Sequence, residues 1–420
     1  MRSTSPAVIA ALLANAVLCA SPGARADVCP ETLAAIHDRV LERAPAASVV
    51  DADLEAARLE SRAGAMWLSG APSIYGTWIS DAPTDTEGLR EYEGGVALPV
   101  RLPAERSALQ AAGRAGLEVA QAVAEVHALT QAGALREALW RLAEARVVRD
   151  RAEHELEHLG ELHALVTARL ERGDVAPLDL DLVDMELEAA RATLVSATAE
   201  LAAERRGWQA LTGCDATSIT TTEPETPANP PASDPRLVLA EADVTRARAQ
   251  QRAQQARPAL APTVQVLMRR ERGEQMAPWI DSVGISVTLP IGQSAEQRNG
   301  RAAAARTAGD RTATFASVAR SLDVGRDVAR SRLDAARTAA EAAGRRAARA
   351  RTALERAERA HALGEWSTIE LLRFEGMRAE AELDEALAQV AVGRATAALN
   401  QSLGLTFGAP RAPSPGVPTP

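Results

Sequence analysis

Val283-Gly284-Ile285-Ser286-Val287-Thr288-Leu289-Pro290-Ile291 is the stretch on which the fold turns. Val283, Ile285, Val287 and Leu289 share one parity, while Gly284, Ser286 and Thr288 share the other. Period-two alternation marks a strand with one apolar and one polar face, here over 283–291. Its neighbour reads quite differently. From 294 to 363 the chain has no proline and is dominated by Ala, Arg and Glu. That composition favours helix, and at 1.5 Å per residue the segment would reach about 100 Å. Helices of ordinary globular domains average about 11–12 residues.

Before this strand, Val264, Val266 and Met268 alternate with Gln265, Leu267 and Arg269 over 263–269. A charged loop, 270–282, joins the two runs as an antiparallel pair. A helix over 236–257 precedes the pair. Gly364 ends the long helix, and a return helix occupies 367–403.

The same order occurs earlier in the chain. Ile74, Gly76 and Trp78 alternate with Tyr75, Thr77 and Ile79 over 73–80. After a polar loop, Tyr92, Gly94, Val96 and Leu98 share one parity over 92–99. A long helix over 104–170 follows, broken at Gly173-Asp174 and Pro177, and a second helix spans 178–212. The pairs Pro72/Pro262, Pro99/Pro290, Gly173/Gly364 and Gly213/Gly404 all stand about 191 residues apart, the signature of an internal repeat. The first repeat is 27–220, with residues 31–69 helical and interrupted at Pro45. A Thr/Pro/Glu-rich linker covers 221–235, the second repeat covers 236–407, and a Pro-rich tail, expected to be disordered, covers 408–420.

The chain has 420 residues, a net charge of -9 and only 3% aromatic residues. It lacks the basic footprint of a nucleic-acid-binding protein. Arg2, the apolar run Ala7 to Ala20, and Ala24-Arg25-Ala26 read as an export signal over 1–26, cleaved after Ala26. Leu18 before Cys19 argues against a lipid anchor there. Past the signal no run of about 20 apolar residues occurs, which excludes a spanning helix and leaves a β-barrel open. Cys29 and Cys214 remain after cleavage, and an exported chain can oxidise them to a disulfide.

Four short strands cannot close a barrel, for which about eight is the usual minimum. Open strand edges in lipid leave backbone groups unpaired, at a high cost. The strands are therefore expected to pair with those of other copies, and three copies would give twelve. The fold class expected is mostly α with membrane β, two repeats of long helices plus four strands per chain.

This ordered set resembles the outer-membrane efflux protein family, the TolC-like channels, over nearly all of the mature chain. The likeness is carried by the repeat and the strand–strand–long-helix order. It is carried too by the helix breaks Arg172-Gly173-Asp174-Val175 and Leu363-Gly364-Glu365-Trp366-Ser367-Thr368, and by the 283–291 strand. The resemblance implies a two-repeat α-helical barrel with the strands closing as a trimeric 12-stranded β-barrel. It implies a homotrimer in the outer membrane of a Gram-negative bacterium, with a large periplasmic portion. It implies a passive export duct for efflux or type I secretion. Its partners would be a periplasmic adaptor (membrane fusion protein), an inner-membrane transporter of the RND or ABC type, and outer-membrane lipid. Arg172, Gly173, Asp174, Val175, Leu363, Gly364, Glu365 and Trp366 would be adaptor-contact tips. Asp179 and Glu370, each six residues past its glycine, would line the entrance constriction, with Asp181 nearby and Arg373 able to pair with Glu370. A carboxylate ring in a narrow aqueous pore favours cations. The alternative for these charges is solvated helix surface. Tyr75, Trp78, Tyr92 and Trp279 are candidate membrane-interface aromatics.

His154-Glu155-Leu156-Glu157-His158 spells H-E-x-x-H, the zinc-hydrolase pattern. His154 and His158, at i and i+4, share a helix face and are a candidate for a weak metal pair. His163 is too near to complete the extended motif, and no pocket-forming elements surround it. No Gly-rich phosphate loop and no G-x-S-x-G occurs. No enzyme and no cofactor is expected. The competing class is a soluble periplasmic coiled-coil scaffold or adaptor protein.

Overall fold

The computed structural model describes residues 27–29, 32–84, 87–216, 223, 234–292 and 294–407. The expected export signal (1–26), most of the linker and the tail (408–420) lie outside the described residues. In chain order the elements are β1 (Asp27–Val28), α1 (Leu33–Arg43), α2 (Ala47–Ala65), β2 (Ser73–Ser80), β3 (Arg90–Pro99), α3 (Pro103–Glu171), α4 (Pro177–Thr212), β4 (Cys214–Asp215), α5 (Pro235–Ala256), β5 (Thr263–Arg272), β6 (Ile280–Thr288), α6 (Ala295–Ala362) and α7 (Thr368–Ser402). Helices α3 and α6 have 69 and 68 residues. No helix among the described residues is long and apolar enough to cross a membrane.

Some boundaries shift for local reasons. The strand expected to run to Ile291 ends at Thr288, because Pro290 has no N–H to give a ladder. The strand expected to end at Arg269 continues to Arg272, where Arg90 of β3 still pairs with it. Pro235 opens α5 at its first turn behind Asp234, whose carboxylate accepts the Arg236 N–H at 2.9 Å.

Contacts divide the chain into two units. The first draws its described parts from Met1–Val40, Ala134–Glu223 and Arg337–Arg394. It holds the α3–α4 and α6–α7 turns and the short parallel pair β1–β4. A disulfide joins Cys29 to Cys214, beside buried Trp208, whose indole N–H points at Cys29 Sγ. Leu162, Val166, Val183, Leu354, Ala357 and Leu371 form a buried cluster that ties the two helical hairpins together below their turns.

The second unit draws on Leu41–Gly133, Pro224–Ala336 and Ala395–Pro420. It holds one antiparallel sheet in the order β2-β3-β5-β6. The two hairpins, distant in sequence, are joined by β3–β5 pairing from Arg90↔Arg272 to Pro99↔Thr263. Strands β2 and β6 are its edges, and neither has an outer partner among the described residues.

Candidate functional site

The sheet sorts its side chains by face. Register aligns Ile74, Val96, Val266 and Ile285 in one cross-strand row, and Leu98, Val264 and Val287 in another. Paired residues point to the same side, so these rows build one apolar face. It is uncovered in the protomer: Ile74 is 86% exposed, Val283 73% and Ile285 75%. The opposite face carries Glu91, Glu93, Arg269, Glu271, Gln265, Ser282 and Ser286. Arg269 bonds Glu91 at 2.8 Å and Glu271 at 2.6 Å. Of the sequence-selected aromatics, Trp78, Tyr92 and Trp279 gather on the apolar side, with the Tyr92 and Trp279 rings 5.9 Å apart. Tyr75 does not join them. It is on the polar face, and its hydroxyl donates to Glu93 at 3.4 Å.

In the helical unit, Gly173 and Gly364 adopt left-handed φ values of 78° and 77°. Each is the turn residue of a Schellman cap. Gly173 and Asp174 donate to the Leu170 and Arg169 carbonyls, and Gly364 and Glu365 donate to those of His361 and Ala360. Arg172, Asp174, Leu363 and Glu365 are exposed around these turns. Val175 and Trp366 instead pack partly buried on the cluster beneath, with Trp366 stacked on Phe374 at 5.2 Å. His361 is buried and bridges the turns: Arg169 Nη1 donates to its Nε2 at 2.7 Å, and its Nδ1 lies 3.0 Å from the Trp366 carbonyl. Arginine can only donate, so Nδ1 carries the proton.

Asp179 and Glu370 occupy matching positions and do matching work. Asp179 accepts the Ala176 N–H at 3.0 Å, and Glu370 accepts the Ser367 N–H at 2.9 Å. The Glu370 cap is reciprocal, since the Ser367 hydroxyl accepts the Glu370 N–H at 3.3 Å, whereas Ala176 has no side-chain acceptor and Asp179 caps from one side only. The bonds from Ser367, backbone first and then hydroxyl, hold the Glu370 carboxyl below its ordinary range. Glu370 thus engages Ser367, and not Arg373 as the spacing suggested. Asp181 and Arg373 are exposed.

The two histidines of the H-E-x-x-H letters take different partners. His154 is exposed beside Glu157, whereas His158 turns to α7, placing Nε2 2.5 Å from Glu375 Oε1. With Glu358, these two bring ligand atoms within 4.8 Å of one another. The positive charge this carboxylate cluster needs is supplied by Arg378, which reaches Glu375, Glu382 and Glu155 at 3.3, 2.8 and 3.1 Å. The Glu375 bond raises the His158 pKa, although burial opposes it. Burial raises that of Glu155 against the pull of Arg378. This network spans α3, α6 and α7. Its members lie far apart in sequence, and no local spacing marks them.

No protein-family model matches the chain, and no curated protein matches it. Solved structures do. A membrane protein from Pseudomonas aeruginosa is 18% identical with a TM-score of 0.70, over 90% of this chain and 91% of that one. The outer membrane protein VceC from Vibrio cholerae is 15% identical with a TM-score of 0.69, over 89% and 96%. The open-state MtrE outer membrane channel of Neisseria gonorrhoeae is 17% identical with a TM-score of 0.62, over 89% of both chains. Long helical hairpins joined to four antiparallel strands give this chain the protomer fold of the outer-membrane channels.

Proposed function

We propose that the chain is one protomer of a trimeric outer-membrane channel, the export duct of a tripartite efflux or type I secretion system. One observation carries this reading: a four-stranded sheet with an exposed apolar face, a charged opposite face and two open edges. In water the apolar face is uncovered, and in lipid the open edges are intolerable. Both problems vanish if three copies close edge to edge around an aqueous lumen. The polar face then lines the lumen, and the apolar face meets lipid.

Transport through such a duct needs no chemistry from the chain itself. Energy comes from an inner-membrane transporter of the RND or ABC type, reached through a periplasmic adaptor. The exposed turn residues Arg172, Gly173, Asp174, Leu363, Gly364 and Glu365 offer the adaptor its contact, with Val175 and Trp366 bracing them from beneath. Asp179, Asp181, Glu370 and Arg373 flank the entrance, where carboxylates from three copies would favour cations.

Fractionation tests the reading directly. A detergent-requiring trimer in the outer membrane that conducts in a planar bilayer is the expected result. A soluble monomer would reject it and restore the scaffold alternative. The entrance assignment has its own test. Asp179→Asn with Glu370→Gln keeps a cap acceptor but removes the charge. Cation preference should fall while the trimer persists, and unchanged ion selectivity would remove these residues from the constriction.

A further inference from the structure

We infer that the apolar face of the sheet carries, at its hairpin-loop end, a binding site for a phosphate-bearing lipid of the outer leaflet. The inference rests on the outer-membrane reading and adds a ligand to it.

Three successive cross-strand rows build the site. Nearest the loops, Ser80 pairs with Arg90, and Arg90 with Arg272. The next row is Trp78, Tyr92, Arg270 and Asp281. The third is Gly76, Gly94, Met268 and Val283. All three share the face of Ile74, Val96, Val266 and Ile285, since their residues differ by even steps along each strand. This end of the sheet is opposite the one that feeds α3 and α6, so a channel with its helices in the periplasm presents it outward.

The upper two rows form a cation–aromatic cluster. The Arg272 and Arg270 guanidinium groups stand 5.0 and 5.5 Å from the Trp279 ring centre, and Tyr92 closes the other side. Asp281 offsets part of the charge, at 3.3 Å from Arg270. Asp81 acts on Arg90 in the same way. Glu91, Glu93 and Glu271 alternate onto the other face, where Arg269 pairs with Glu91 and Glu271. Three arginines against two carboxylates leave this rim positive. Planar guanidinium groups are suited to phosphate oxygens.

Below the arginines the face is hollow. Gly76, Trp78, Tyr92, Gly94, Met268 and Arg270 line a shallow, open trough of about 590 Å³, which Thr77 and Glu93 also border. A Cβ on Gly76 or Gly94 would meet only backbone oxygens, at 3.9 and 3.7 Å. The strands therefore have room for side chains there, and it is their absence that leaves the trough open. A cationic rim above an apolar trough fits a phosphate headgroup above an acyl chain. A soluble phosphate compound would leave the trough unfilled, and a neutral lipid would leave the arginines without a counter-charge.

Native mass spectrometry of the detergent-purified full chain tests this, with diphosphoryl lipid A, its dephosphorylated form, and inorganic phosphate as competitor. The wild type should prefer the phosphorylated lipid roughly thirtyfold if two arginines contribute. R270A/R272A should erase the preference in an intact trimer. G76V/G94V should weaken both lipids and keep the preference. Equal binding of the two lipids by wild type overturns the site, whether or not the variants fold. So does displacement by inorganic phosphate at equal concentration, or a preference that survives R270A/R272A. A wild type that conducts but shows no preference removes only this site. One that neither conducts nor reaches the outer membrane removes the channel reading itself.

Discussion

Gly173 and Gly364 show how single residues set the geometry of the turns. Nothing lies within 4 Å of a Cβ placed on either one. Substitution therefore meets backbone strain alone. Gly173→Ala and Gly364→Ala should each cost about 1–2 kcal/mol, read as a lower midpoint in denaturant melts without a change in slope. His158 makes a different prediction. Its pKa lies above the ordinary value of 6.5, chiefly through its bond to Glu375. Glu155 and Glu161 on α3, Glu358 on α6 and Glu375 and Arg378 on α7 face it. A raised folded pKa gives stability that is complete below the unfolded value and is lost as pH rises through the folded one. Melting temperature should therefore fall from about pH 6 to pH 9 more in wild type than in His158→Gln; equal falls would exclude the linkage. The glycines were legible in the sequence as spacings; Asp179 and Glu370 stood out there by position, as entrance carboxylates, and their capping bonds came only with the structure. The His158 partner was not legible, because helix periodicity gives the side a residue faces and not what stands there.

Long helices of this composition owe their association to close approach more than to large apolar side chains. Trp140 on α3 meets α7 where Gly393 leaves space: a Cβ at 393 would sit 1.9 Å from the indole ring. Gly393→Ala should destabilise the first unit by about 1–3 kcal/mol, and adding Trp140→Leu should recover part of the loss. Additive losses in that double-mutant cycle would mean that the two positions do not constrain each other. Between α6 and α7, Arg351 bonds Glu382 and Glu385 at 2.7 and 2.6 Å, and Arg346 bonds Glu380 and Asp384. The Arg346 pairs are solvent-exposed and contribute little each, the Arg351 pairs are half-buried, and together they favour one register between α6 and α7. Sequence periodicity reveals such helices readily. It is silent on Gly393, since an isolated glycine in an Ala-rich helix reads only as a weak position.

Two long-range closures complete the chain. One is the Cys29–Cys214 disulfide, with a sequence separation of 185. Cys29→Ala with Cys214→Ala should lower unfolding free energy by about 2–5 kcal/mol, measured against wild type under oxidising conditions; a reductant should shift wild type alone. The other is the β3–β5 ladder, which turns two hairpins into one sheet and aligns Arg90 with Arg272. Local order was set by the sequence itself. The alternation in 283–291, the proline-free helical runs, the left-handed glycines and the near-constant spacing between repeats all follow from short-range sterics and solvation, which act between neighbours in the chain. Tertiary structure alone decided the remainder: that β3 pairs with β5, that His158 meets Glu375, that Trp140 fits over Gly393, and that Tyr92 of β3 stands against Trp279. Those outcomes depend on register and on which elements meet, and such contacts are fixed only when segments far apart in sequence bury surface together.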